Sequence, residues 1–305
     1  MRKIIAAALL IGLCMTAACA ETPTSTPTPT PEPEYTYKFT RENFPRLDGS
    51  TSMVPMGKAV ASVLLGEDVS DVADLISFNR TSQSFRNLMH GGCDLLIVAE
   101  PAKSVLDELS DNGFEYEMAH ISTDALIFVV SADNPIDSLT TEQIQKIYTG
   151  EIANWSEVGG SDVPIIPFQR NDEAGSQAAM KKLVMQDLEM MNPPKDYIVD
   201  SMMGLMDAVR NFDGSEGAIG YSVYYYANDM EMAEGLKIIA VDGTEPSAET
   251  IRAETYPFLA PGYAVIAADE PEDSSARKLY NWLQSEEGQY LINSLGYVGV
   301  QDIES

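Results

Sequence analysis

The chain has 305 residues, 19 lysines and arginines against 47 aspartates and glutamates, a formal net charge of −28 and an apolar fraction of 45%. That length suits two domains with a real core, while the acidity excludes a general nucleic-acid binder and opposes attraction to anionic lipid surfaces. A small anion stays open, because local donors hold it rather than net charge, but two histidines, three cysteines and the lack of HExxH, GxSxG and P-loop patterns point to no metal, no cofactor and no enzyme.

Arg2 and Lys3 precede an apolar run over residues 4–13 and then Thr16-Ala17-Ala18-Cys19. Residues 1–18 read as a secretory leader, too short for a spanning helix of ~20 residues. The small residues before Cys19 form a lipobox in which Cys19 is acylated; the alternative is plain secretion with cleavage near Ala20. Residues 19–34 are a Thr/Pro-rich linker, whose polyproline II geometry reaches up to about 45 Å. A folded body is expected from Tyr35, and its only cysteine is Cys93, so no disulfide framework is possible.

Beyond Tyr35, short apolar runs alternate with amphipathic stretches, an α/β signature. Strands are expected over residues 94–99, 125–131, 163–168, 218–221 and 263–267. Helices are expected over 53–65, 85–90, 103–112, 141–149, 177–186, 202–211 and 274–285. Thr140 and Gln143 form a capping box ahead of the fourth. Met202, Met203 and Met206 follow helical spacing and read as core; Tyr224, Tyr225 and Tyr226 read as packing residues, and Cys93 as an inert thiol.

Three polar runs stand just ahead of expected helices. Ser50, Thr51 and Ser52 follow Asp48-Gly49, and Thr81 opens the run Thr81-Ser82-Gln83-Ser84. A helix start offers unpaired N–H groups and hydroxyls to an anion, although plain capping uses the same residues. The third run, from Arg170 to Gln177, adds a guanidinium fork, Gly175 for close backbone approach and the Ser176 hydroxyl. Its alternative is a surface pair between Arg170 and Asp172 or Glu173.

The stretch ALIFVVSADNPIDSLTTEQIQKIYTGEIANWSEVGGSDVPIIPFQRNDEAGSQ resembles the phosphate-binding proteins of ABC phosphate importers. FPRLDGSTSMVPM, GAIGYSVYYYA, TYPFLAPGYAVIA and SEEGQYLINSLGYV extend the resemblance over Asn43 to Val300. It implies a type II periplasmic-binding-protein fold of two α/β lobes joined by two crossing segments, here residues 35–127 with 258–305, and 128–257. It also implies an anion held by Thr51, Ser52, Thr81, Arg170, Gly175 and Ser176, with Ser50 and Gln177 as neighbours. Ala99 stands where the family carries an acid that accepts the proton of hydrogen phosphate; Glu100 beside it is the candidate to take over that role, and Ala174 replaces a serine donor. The implied partners are inorganic phosphate or a related oxyanion and ABC permease subunits. The implied location is the outer face of the cytoplasmic membrane, through the lipid anchor alone. The rival readings are a binding protein for another oxyanion, or a sensor or adhesion module on the same fold.

Overall fold

The computed structural model describes residue 35 and residues 38–212, 215–228 and 234–301; the leader, Cys19 and the Thr/Pro-rich stretch lie outside the described residues. Tyr35–Ser305 forms one unit. Its strands are β1 (Leu47–Gly49), β2 (Leu95–Ala99), β3 (Tyr116–Ser131), β4 (Ser138–Leu139), β5 (Ile166–Pro167), β6 (Gln169–Arg170), β7 (Ile198–Val199), β8 (Ala218–Val223), β9 (Leu236–Val241), β10 (Leu259–Ala267) and β11 (Val298–Gly299). Its helices are α1 (Val54–Leu65), α2 (Thr81–Met89), α3 (Lys103–Asp111), α4 (Thr141–Thr149), α5 (Gly175–Ala179), α6 (Met202–Arg210), α7 (Tyr224–Asn228), α8 (Ala248–Arg252), α9 (Ser275–Leu283) and α10 (Glu286–Ser294).

The main sheet runs β1-β2-β10-β3-β8-β5, and β3 is its long member. The first part of β3 pairs antiparallel with β10, from Tyr116 opposite Ala267 onwards. Its last part, Leu126 to Ser131, pairs with β8 and β9 instead. The run from Ala125 to Val130 is fully buried without alternation, as expected of a strand covered on both faces.

Buried side chains fall into three clusters. One gathers the end of β3 with Tyr148, Trp155, Met180 and Tyr221. A second gathers α1, β1, alternate residues of β2 and Trp282, and a third packs Phe85, Leu88, Leu96 and Val98 under α3. Tyr225 leaves its neighbour Tyr226 in the first cluster and stacks on Tyr297 in the second, with centroids 3.6 Å apart.

Local chemistry explains the motifs. Thr140 Oγ1 accepts the Gln143 N–H at 3.1 Å, and Gln143 Oε1 accepts the Thr140 N–H at 2.8 Å, so the expected capping box is present. In the Asn-Trp segment, Asn154 caps a short turn, Trp155 is fully buried, and Gly159 ends the turn at φ 91°. That segment is therefore structural.

Four expectations need correction. The second helix starts at Thr81, not Phe85, because Ser84 hydrogen-bonds back into the fold and lets the polar run coil. The strand expected over 163–168 shrinks to Ile166–Pro167, since the Val163 carbonyl is taken by the Trp155 N–H at 3.0 Å. Met203 is 52% exposed, while Met202 and Met206 are buried. The helix expected over 177–186 starts at Gly175 and widens into a π-turn at Met180–Met185.

Candidate anion-binding site

β1 carries the first polar run to the end of β2. A Cβ on Gly49 would lie 1.9 Å from the Ile97 carbonyl oxygen, so only glycine permits that approach. Asp48 is buried beside it. Its Oδ1 accepts the backbone N–H groups of Gly49 and Asn79, both at 2.7 Å, and the Ser84 hydroxyl at 2.9 Å. Its Oδ2 accepts the side-chain amides of Asn79 at 3.0 Å and Asn87 at 2.7 Å. One carboxylate thus ties the start of α2 to β1. Sequence reasoning passed over Asp48, because its partners other than Gly49 come from 31 to 39 positions away.

Two of the expected hydroxyls meet there. Ser50 Oγ accepts the Ala99 N–H at 2.9 Å and lies 2.8 Å from Thr81 Oγ1. When Ser50 donates its proton to Thr81, the Thr81 proton is free for a ligand. Gly175, at the start of α5, faces this pair: a Cβ there would lie 2.5 Å from Thr81 Oγ1 and 3.4 Å from the Ala99 Cβ. Ser82 Oγ also donates to the Glu173 carbonyl at 2.6 Å, and Arg86 holds the Glu173 carboxylate by two hydrogen bonds of 2.9 Å.

Arg170 is 5% exposed. Its Nε donates to the Val199 carbonyl at 3.0 Å and one Nη to the Asp200 carbonyl at 3.1 Å; the other reaches Ser176 Oγ at 3.2 Å and Met202 Sδ at 3.5 Å. Every one of these partners is neutral. Asp172 instead pairs with Lys181 and Glu173 with Arg86, which removes the surface-pair alternative. Burial pulls the Arg170 guanidinium below its ordinary value, and the nearby Arg80 charge pushes the same way. The Asp200 charge acts the other way, but among the described residues no carboxylate forms an ion pair with this buried cation, an arrangement that costs free energy until an anion arrives.

A cavity of about 540 Å³ opens beside these groups, lined by Thr51, Arg80, Ser82, Asn171, Ala174 and Asp200 among others. Arg170 lies one layer behind that wall, through Asp200 and Asn171. The remaining expected residues turn elsewhere. Ser52 is half-buried, and its carbonyl accepts the Tyr297 hydroxyl at 3.1 Å. Gln177 Oε1 accepts the Tyr221 hydroxyl and the Arg170 N–H, and its amide reaches Met190 Sδ at 3.5 Å, so this side chain braces Arg170 from behind. Glu100 pairs with Lys182 at 2.6 Å and lines a separate cavity of about 810 Å³. Tyr221 and Arg80 also escaped the sequence reading: nothing local marks Tyr221, but a cation directly before the Thr81 run was legible.

A model described as a PBP superfamily domain matches residues 30–287. The chain belongs to the PBP superfamily. Phosphate-binding protein PstS of Borreliella burgdorferi is 30% identical over 182 residues, covering 58% of this chain and 64% of that relative. PstS of Bacillus subtilis is 26% identical over 184 residues, covering 59% and 57%. The alignments thus span less than two thirds of those two curated relatives. A crystal structure from Clostridium perfringens, described as a phosphate ABC transporter substrate-binding protein with bound phosphate, superposes with a TM-score of 0.67 at 26% identity, covering 84% of this chain and 98% of that one. This PBP superfamily chain has the type II periplasmic-binding fold, and the family consists of substrate-binding proteins rather than enzymes.

Proposed function

We propose that this chain is an extracytoplasmic solute-binding protein of an ABC importer, lipid-anchored through Cys19, which binds inorganic phosphate between two lobes. The lobes are residues 35–127 with 258–305, and residues 128–257. One observation carries the reading: Arg170 is buried and, among the described residues, in no ion pair, within reach of the Ser176 hydroxyl. Thr51, Thr81, Gly175 and Ser176 then supply hydroxyl or backbone donors to a tetrahedral anion, and the Arg86–Glu173 contact holds the two sides together. The names of the relatives, phosphate-binding proteins of importers, support phosphate as the ligand and ABC permease subunits as the partner. Among the described residues, no helix is long and apolar enough to cross a membrane; the proposed anchor is Cys19, from the small residues that precede it.

A second reading, another fully ionised oxyanion such as sulfate, is favoured by one feature. Ala99 closes β2 where a proton acceptor would select hydrogen phosphate, and Glu100 is held by Lys182. Calorimetric titration of wild type and Arg170→Ala tests the site. The variant is expected to weaken anion binding by ~100-fold or more while keeping a native circular dichroism spectrum. Unchanged affinity would remove Arg170 from the site.

A further inference from the structure

Two arginines stand at the candidate site, and their donors are in opposite states. The Arg170 fork is spent on the Val199 and Asp200 carbonyls, with one Nη left for Ser176 and a ligand. Arg80 lines the 540 Å³ cavity directly and, among the described residues, its guanidinium makes no hydrogen bond and no ion pair. That is unusual in a chain of net charge −28, where Arg41, Arg46, Arg86 and Arg277 each hold a carboxylate.

The backbone at Arg80 is also held in an unfavourable place. Its φ of 71° and ψ of 157° fall in a region that essentially only glycine adopts. Neighbours enforce it: Asp48 grips Asn79 by its N–H and its side-chain amide, and the Arg80 carbonyl accepts both the Ser84 N–H at 3.0 Å and the Ser84 hydroxyl at 2.7 Å. The fold keeps an arginine where glycine would relieve the strain. Its charge is felt at Arg170 and at Glu173, which belong to the opposite wall, yet it pairs with neither. Glu173 is already taken by Arg86, and the Asp200 carboxylate accepts from Asn171 at 3.3 Å.

We propose that Arg80 is a second guanidinium ligand of the bound oxyanion, meeting it from the cavity side while Arg170 and Ser176 meet it from behind. The inference rests on reading this place as the anion site. Two guanidinium charges suit a dianion, and they compensate for the donor absent at Ala174. Arg80 also gives the site a cation at its mouth, where an anion arrives before closure.

The test is calorimetric titration of the anion-stripped full chain with phosphate, for wild type, Arg80→Ala, Arg80→Gly, Arg80→Lys and Arg170→Ala. Arg80→Ala and Arg80→Gly are expected to lose ~10- to 100-fold in affinity, as for a hydrogen bond to a charged group. Arg80→Lys is expected to recover most of that loss, which a purely structural role of the side chain would not give. Arg80→Gly separates charge from strain, since it relaxes the backbone and is expected to melt no lower than wild type. Wild-type affinity in Arg80→Ala and Arg80→Gly, with loss only in Arg170→Ala, would overturn the proposal and leave the function intact. A wild-type chain that binds neither phosphate nor sulfate would overturn both.

Discussion

Gly175→Ala tests whether the anion-bound form brings α5 against α2. The added methyl would sit 2.5 Å from Thr81 Oγ1 and 3.4 Å from the Ala99 Cβ. An ordinary C···O contact needs about 3.3 Å, so α5 and α2 must part by about 0.8 Å. Thr81 cannot simply swing aside, because its hydroxyl is held 2.8 Å from Ser50 Oγ. The separation would stretch the donors on the two sides away from a shared anion. An overpacked contact costs about 1–3 kcal/mol, which predicts a rise in phosphate Kd of roughly 5- to 150-fold. The ligand-free protein is expected to relieve the contact by parting α5 from α2, and alanine is the better helix former, so its fold loses little. Calorimetry would give the affinity, and scanning calorimetry without ligand should show a Tm within about 2 °C of wild type. Wild-type affinity in this variant would refute the closed contact as the binding form.

Two further outcomes follow from charged and titratable groups. Glu173→Gln removes a half-exposed ion pair with Arg86, so phosphate affinity is expected to fall only about two- to fivefold, with the difference shrinking at high salt; a salt-independent loss of a hundredfold would mean that Glu173 does more than hold the two sides together. Burial, reinforced by Asp48 and Asp94, pushes the Cys93 thiol up to about 12. The native chain then resists ionising it: this contribution to stability is complete below the ordinary thiol value and is lost as pH rises towards 12. At pH 8 only about one molecule in ten thousand carries the thiolate, so Ellman's reagent should leave residues 35–305 unlabelled until they are unfolded. Rapid native labelling would contradict the burial.

Much of the fold was legible in the sequence where local chemistry decides. The run from Ala125 to Val130 has no period-2 alternation and is covered on both faces. Thr140 and Gln143 needed no distant partner, and α4 begins where they place it. The start of α2 was hidden, because Thr81 and Ser84 are buried through Ser50 and Asp48, more than thirty positions earlier. β9 was missed as well: its first three residues are only half-buried, and its apolar run lacks a clean alternation, although Asp242-Gly243 marks the turn that follows it.

The candidate site divides the same way. Arg170, Ser176, Thr81 and Gly175 stood out by residue type and spacing. Whether Arg170 was buried could not be read, since it depends on Lys181 and Arg86 drawing away the nearby acids. Glu100 looked like a replacement acid until Lys182, 82 positions on, claimed it. Arg80 was legible as a cation before the Thr81 run, but its backbone conformation and its side chain's lack of a partner needed the structure.

The most direct measurement is calorimetric titration of residues 35–305 after unfolding and refolding to strip bound anion, with phosphate, sulfate and molybdate compared at pH 7. Saturable binding of one phosphate per chain, lost in Arg170→Ala, is the predicted result. Heat from none of the three anions would contradict the account.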